Sequence, residues 1–280
     1  MKTIFLFFLC TLFFLSATLA RAKTFQVQNR SVHLHLPSSP PKGEKIGAVI
    51  LLHGYGTNSW QQNLYLQFSR QVKNLHLAAV LLDGTKDKKG KRFWNAGHPS
   101  CCNFHQSSVD DVAFLEEVIA ELITNHGIHE KKIYLFGHSN GGFMSYEMLC
   151  RSKVDLAGIA VLAGSYYENI EHCPLKETSI LHLHGTKDDD ILYKGRKEEY
   201  PDPLTLHKKW AQKFGCLISE IKEKAHNLVF FGGDETDEFF FKDCHFPSQK
   251  VAHWRMKGVG HLPFHKLNLV KKAMEFLKKK

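Results

Sequence analysis

The sequence has no internal repeat and no low-complexity segment beyond its lysine patches, which excludes solenoid and fibrous architectures. It has only one long apolar run, Ile4 to Leu15, and that run is short for a bilayer core of about 30 Å. No second run follows, so no stable membrane anchor is expected. The net charge is +9, yet no basic–aromatic interleaving and no nucleic-acid motif accompany it. Nucleic acid is therefore not an expected partner, and the lysines between Lys86 and Lys91 and at the C-terminus read as solvated surface. A metal pattern is missing too. Cys101 and Cys102 lie near His98 and His105, but neighbouring cysteines chelate one ion awkwardly and no second cluster accompanies them. Neither a metal nor a cofactor is expected.

The first thing present is an address. Met1-Lys2, the apolar run and the small residues Ser16 to Ala22 have the form of a signal peptide over residues 1–22, cleaved after Ala20 or Ala22. A secreted or periplasmic protein is implied. The remaining residues, 23–280, are of ordinary length for one α/β domain, and 43% apolar content supplies one sizeable core. Export also sets how the cysteines are read. Cys10 leaves with the leader, while Cys101, Cys102, Cys150, Cys173, Cys216 and Cys244 form an even set suited to disulfides whose pairing stays open.

Strand and helix signals then alternate. Phe25–Val27 and Val32–Leu36 read as an edge hairpin, and Gly47–Leu52 as a strand covered on both faces. A helix is expected from Ser59 to about Leu75, then a buried strand from Leu77 to Leu82. A long loop follows, Thr85 to Gln106, and Ser107 or Ser108 caps the next helix. Leu156–Ala163, Ser179–His184 and Val251–Met256 read as further strands, Pro203–Phe214 and Leu267–Leu277 as helices. This alternation implies a mostly parallel central sheet with helices on both faces.

The centre of the pattern is Lys132 to Met144, an apolar strand, a glycine-tight turn and a helix start carrying Gly137-His138-Ser139-Asn140-Gly141. This G-x-S-x-G in strand–turn–helix context is a nucleophile elbow, which lifts Ser139 Oγ clear of the sheet. A serine needs a base and an acid to become nucleophilic, and here they should follow in the order Asp, His on later loops. The strand ending at His184-Gly185 is followed by Asp188, Asp189 and Asp190. Asp188 is taken as the acid because it emerges first after the glycine turn, its neighbours as solvated charges. His261 is taken as the base because Gly258-Val259-Gly260 carries it directly after the last strand; His245, His253 and His265 are the competitors, the last two structural. The oxyanion hole is expected from the N–H groups of Asn140 and Tyr55, with Gly56 the alternative to Tyr55 and His53 structural. Trp94 sits in a loop at the C-terminal end of a parallel strand, where α/β sheets bind ligands, and so is a substrate-binding candidate; the competing reading packs it into the core.

These motifs, with Val109 to Phe114 and the Cys101-Cys102 pair, resemble the secreted polyhydroxybutyrate depolymerase/feruloyl esterase group of α/β-hydrolases, relatives of the carbohydrate esterases. The resemblance extends over nearly all of residues 23–280. It implies an α/β-hydrolase fold, a triad of Ser139, Asp188 and His261, and a Cys216–Cys244 disulfide. It departs at Leu262-Pro263-Phe264, where members often carry a tryptophan and proline, and at Tyr55, where a cysteine is often found. The function expected is a secreted serine esterase acting on small or polymeric carboxylic esters through an acyl-enzyme. The alternatives carried are a peptidase on the same fold and a catalytically silent binding protein. The oligomeric state is not legible.

Overall fold

The computed structural model describes residues 22–39, 43–98, 101–167, 169–230 and 233–278. The expected leader lies outside these residues except for Ala22, which opens the first strand. The chain begins with the hairpin β1 (Ala22–Val27) and β2 (Arg30–His35), then β3 (Ile46–Leu52), α1 (Ser59–Leu66), α2 (Phe68–Lys73) and β4 (Ala78–Leu82). The ribbon β5 (Thr85–Lys86) and β6 (Arg92–Phe93) precedes α3 (Asp111–Asn125), β7 (Ile128–His138), α4 (Asn140–Arg151) and β8 (Gly158–Leu162). Next come β9 (Ser179–Gly185), α5 (Pro203–Lys213), β10 (Ile218–His226), β11 (Thr236–Lys242), β12 (Val251–Met256) and α6 (Leu269–Lys278).

Ten of these strands form one sheet in the order β1-β2-β4-β3-β7-β8-β9-β12-β11-β10. The six from β4 to β12 pair in parallel, and antiparallel hairpins close both edges. β3, β4 and β8 are apolar at every position, and β7 from Ile133 to Gly137, because both faces are covered. Ala48, Ile50 and Leu52 of β3, Ile133 and Leu135 of β7 and Val161 of β8 face the α3–α4–α5 layer. Val49, Leu51, Tyr134, Phe136 and Leu162 face α1, α2 and α6. On the first of these faces β9 and β12 depart from the pattern. There they place His182, His184 and His253, all buried.

Three local expectations are corrected. The helix from Ser59 is broken at Gln67, whose φ of 49° is left-handed; Asn63 Oδ1 starts the second piece by accepting from Ser69 N–H at 2.8 Å. The cap of α3 is Asp110, not a serine; its carboxylate accepts from Ala113 N–H at 3.0 Å, while Ser107 N–H is held by Asn103 Oδ1 at 2.7 Å. The antiparallel edge β11–β10 was not anticipated at all. Its strands carry Glu220, Lys222, Glu223, Asp237 and Glu238 among their apolar residues, which hides the strand signal.

The elbow is where the ends of β3 and β7 and the start of α4 crowd together. A Cβ on Gly137 would lie 2.1 Å from Gly141 O, and one on Gly141 would lie 2.1 Å from Leu52 O at the end of β3. Ser139 itself takes φ 54°, ψ −119°, a region costly for a residue with a side chain, on the order of 1–3 kcal/mol. The surrounding packing holds it there. Gly141→Ala therefore forces the β3 and α4 backbones apart. We expect a loss of about 3 kcal/mol in urea denaturation, as overpacking costs; an unchanged midpoint would show that the elbow can relax.

Candidate active site

Ser139 stands between β7 and α4, its N–H bonded to Leu162 O at 2.9 Å. The loop after β3 comes directly against it, since a Cβ on Gly54 would lie 3.4 Å from Ser139 Cβ. Among the described residues, the N–H groups of Tyr55 and Asn140 meet no acceptor, whereas Gly56 N–H is already donated to Arg92 O at 2.8 Å. Gly56 is thus removed as an alternative donor. The Tyr55 side chain points away into the β5–β6 ribbon, donating to Asp87 Oδ2 at 2.8 Å; burial and this bond push its phenol up to about 12.

The loops after β9 and β12 are laced together by backbone. Lys187 N–H donates to Val259 O at 2.8 Å, Thr186 N–H to Met256 O at 2.9 Å, and Gly258 N–H to Thr186 Oγ1 at 2.9 Å. Gly185 permits this approach, because a Cβ there would lie 2.2 Å from Val259 O. The lacing brings Asp188 and His261 into register, with His261 Nδ1 2.9 Å from Asp188 Oδ2 and 3.0 Å from Oδ1. Asp188 Oδ1 also accepts from the N–H groups of Asp190 and Ile191, and Oδ2 lies 3.1 Å from His184 Nε2. Burial works against the charge of Asp188, but the bonds from His184 and His261 prevail and hold its carboxyl well below the usual range. Asp189 and Asp190 are exposed, as solvated charges would be, though Asp190 Oδ2 reaches within 3.9 Å of His261 Nε2.

His138 joins the two halves of the site. Its Nε2–H donates to His261 O at 3.3 Å, so the loop carrying His261 is docked on the residue before Ser139. Ser139 Oγ and His261 Nε2 are not hydrogen-bonded to each other. Catalytic hydrogen bonds commonly tighten only when substrate is present. Of the competing histidines, His253 is buried in β12, the His265 ring nitrogens lie 2.9 Å from Lys266 O and 3.0 Å from Tyr65 O ahead of α6, and His245 is exposed beside Phe246. His53 donates Nδ1–H to Gly54 O at 2.8 Å and accepts Gly84 N–H at Nε2, 2.9 Å, tying the ends of β3 and β4.

Trp94 is not a pocket wall. It is fully buried, its Nε1–H donates to His53 O at 3.1 Å, and its backbone N–H and C=O are both bonded to the Asn140 side-chain amide. The core reading of Trp94 is the one its packing matches. Asn140 was expected only for its backbone, yet its side chain staples the elbow to the 93–102 loop. No sequence signal distinguishes that use of an asparagine.

Cys216 and Cys244 are joined by a disulfide, as are Cys150 with Cys173 and the adjacent Cys101 with Cys102. Cys150, His172 and Cys173 are close enough together to suggest a metal, but the disulfide consumes both thiolates. A cavity of about 520 Å³ is lined by Glu147, Arg151, Tyr166, Tyr167, His172 and neighbours. It lies two turns along α4 from Ser139 rather than at the serine. Among the described residues no helix is long and apolar enough to cross a membrane.

A parallel sheet with a strained serine between β7 and α4, and acid and imidazole on loops after β9 and β12, defines an α/β-hydrolase. Residues 39–202, more than half of the 280, match the phospholipase/carboxylesterase family, and the chain belongs to it. Feruloyl esterase B of Piromyces equi is 26% identical over 199 residues, covering 67% of this chain and 36% of its own length. Lysophospholipase-like protein 1 of Mus musculus is 24% identical over 184 residues, 60% of this chain and 77% of its own. The chain therefore spans about a third of the first of these relatives. The acetyl xylan esterase from Aspergillus awamori has the same fold, with a TM-score of 0.66 over 92% of this chain and 98% of that one, at 12% identity.

Two outcomes are expected. Trp94→Ala should lower stability by about 3–5 kcal/mol, as loss of a buried aromatic does, and lower hydrolysis of short- and long-chain esters alike. A near-normal melting temperature with altered acyl preference would restore the pocket reading. Acid should destabilise the fold early. Burial holds His98 and His207 down to about 4 and His138 to about 3, with His182 and His253 well below their ordinary value. Between those values and about 6.5 the unfolded chain binds more protons, so this stability is complete above pH 6.5 and is lost as pH falls towards 4. Each such group contributes a slope of up to about 1.4 kcal/mol per pH unit. Urea midpoints at pH 7.5 and 5.0 measure it, and equal midpoints would contradict it.

Proposed function

We propose that the protein is a serine carboxylic-ester hydrolase. The observation that carries this reading is the meeting of the Asp188–His261 pair with the elbow bearing Ser139, beside the unengaged N–H groups of Tyr55 and Asn140. Ser139 Oγ attacks the ester carbonyl as His261 Nε2 takes its proton. Asp188 holds Nδ1–H and stabilises the imidazolium, and the two N–H groups receive the oxyanion. His261 then protonates the departing alcohol. Water, deprotonated by the same nitrogen, attacks the acyl-enzyme, and the acid leaves as Ser139 recovers its proton. The same reading takes residues 1–22 as an export signal, supported by the three disulfides of the body. Feruloyl, acetyl and hydroxybutyrate esters are the substrates to try, on the resemblance of the motifs.

Purified protein should hydrolyse p-nitrophenyl acyl esters and become labelled by a fluorophosphonate. Ser139→Ala should lower the rate by roughly four to six orders of magnitude with the fold retained. Asp188→Asn should cost about four orders of magnitude, and Asp190→Asn should leave the rate nearly unchanged because its carboxylate is solvated. Equal effects of the two aspartate changes would reject Asp188 as the acid. Cleavage of peptide anilides without ester turnover would make the protein a peptidase, and no hydrolysis or labelling would leave a binding protein.

A further inference from the structure

The face of the sheet that carries Ile, Leu and Val in β3, β7 and β8 carries His182, His184 and His253 in β9 and β12, at positions where β9 and β12 pair in parallel. α4 adds Tyr146 and α5 adds His207, both fully buried, and the loop after β9 adds Tyr193. Tyr146, His182 and His184 form one hydrogen-bonded chain that ends beside Asp188, with His207, His253 and Tyr193 packed against it.

The proton positions follow from the fixed acceptors. His184 Nε2 lies 2.8 Å from Ile191 O and 3.1 Å from Asp188 Oδ2. A carbonyl and a carboxylate have no proton to give, so Nε2 carries the hydrogen and Nδ1 accepts. His182 Nε2, 3.0 Å from that Nδ1, must then donate, which leaves His182 Nδ1 to accept from Tyr146 O–H at 3.1 Å. From the other end, His207 donates Nδ1–H to Pro203 O at 2.6 Å, so its Nε2 faces Tyr146 O at 3.3 Å with a lone pair. His253 donates Nδ1–H to His182 O and accepts Tyr193 O–H at Nε2, taking no part in the direction of the chain. Arg255, opposite His184 in the register, is paired with Asp237. Every proton from Tyr146 onward therefore points towards Asp188.

We propose that His184 is a positioning residue for the catalytic acid, fixed in its Nε2–H form by His182 and Tyr146. The inference rests on Asp188 being that acid. The His184 Nε2–H is shared between Ile191 O at 2.8 Å and Asp188 Oδ2 at 3.1 Å, the oxygen that lies 2.9 Å from His261 Nδ1, while Oδ1 is held by backbone. His184 thus fixes the rotation of the carboxylate and withdraws charge from the oxygen that faces the imidazole.

The test is a series of His184→Gln, His184→Leu and Tyr146→Phe, with p-nitrophenyl acetate as the probe. His184→Leu leaves Oδ2 to His261 alone. It should lower kcat about 10- to 100-fold, as loss of an outer partner of a functional ligand does, with KM unchanged and the acid limb of kcat/KM moved to higher pH. Gln keeps an N–H donor and should restore most of kcat and the original limb. Tyr146→Phe should move the limb the same way by less. Loss of stability with an unchanged kcat and pH profile, or equal behaviour of Gln and Leu, would overturn the proposal. Long-range ¹H–¹⁵N spectra of wild-type protein read the His184 ring without any need for turnover, and an Nδ1–H form there would overturn it as well. A wild type inert to esters and fluorophosphonate would instead sink the esterase reading. The shift of the His261 Nδ1–H resonance in His184→Leu would still decide the positioning role, an unmoved resonance counting against it.

Discussion

The site depends on steric crowding where β3, β7 and α4 meet. Gly141 lies so close to Leu52 O, and Gly137 to Gly141 O, that no side chain fits between them. That closeness turns the chain sharply enough to leave Ser139 at φ 54°. The same approach sets the β3 loop against Ser139, and the Tyr55 N–H of that loop, like Asn140 N–H, meets no acceptor among the described residues. A donor pair fixed before any charge develops costs nothing to organise at the moment of reaction. On the proposed reading, strain at the serine and preorganisation of these two donors have one cause.

The second constraint is the lacing of the acid and histidine loops. Neither loop is braced by a helix at its tip. Their relative position comes from three backbone-level bonds across the Gly185–Val259 contact, and from His138, which ties the His261 carbonyl to the elbow. The site is therefore assembled from the ends of parallel strands, with each loop fixed by its neighbour in the sheet. Asp188 is distinguished from Asp189 and Asp190 by burial, by three hydrogen-bond donors and by His184 Nε2 at 3.1 Å, not by its place in the chain.

Much of this was legible in the sequence, and the limits have physical reasons. The central strands announced themselves because two covered faces require continuous apolar runs. The elbow, Asp188 and His261 were readable because glycines mark where backbones must approach. β10 and β11 were not, since an edge strand alternates charge with apolar residues and resembles a loop. Gln67 was missed because a single left-handed residue breaks a helix without disturbing its periodicity. Trp94 misled in the opposite direction. Its exposed-loop context suggested a binding wall, while its indole N–H and backbone found partners in His53 and Asn140 that no local pattern reveals.

The buried histidines show the same limit at its sharpest. In a chain with 18 histidines, His182 and His184 carry no motif of their own, and β9 reads as an ordinary strand around them. Placing them in a core is costly unless their ring nitrogens find partners, because a half-satisfied buried network is worse than an apolar one. Here His184 and His182 are satisfied, and the remaining mismatch falls at the bond farthest from the acid, where Tyr146 O and His207 Nε2 face each other with one proton too few. β7 and β8 fill the same face with Ile133, Leu135, Ile159 and Val161, which need no partners at all. On this face, among the described residues, the buried imidazoles of the sheet lie in β9 and β12, the two strands whose loops carry Asp188 and His261. The departure from the apolar pattern is thus confined to the part of the core that supports the site, which is where local rules are expected to yield to function.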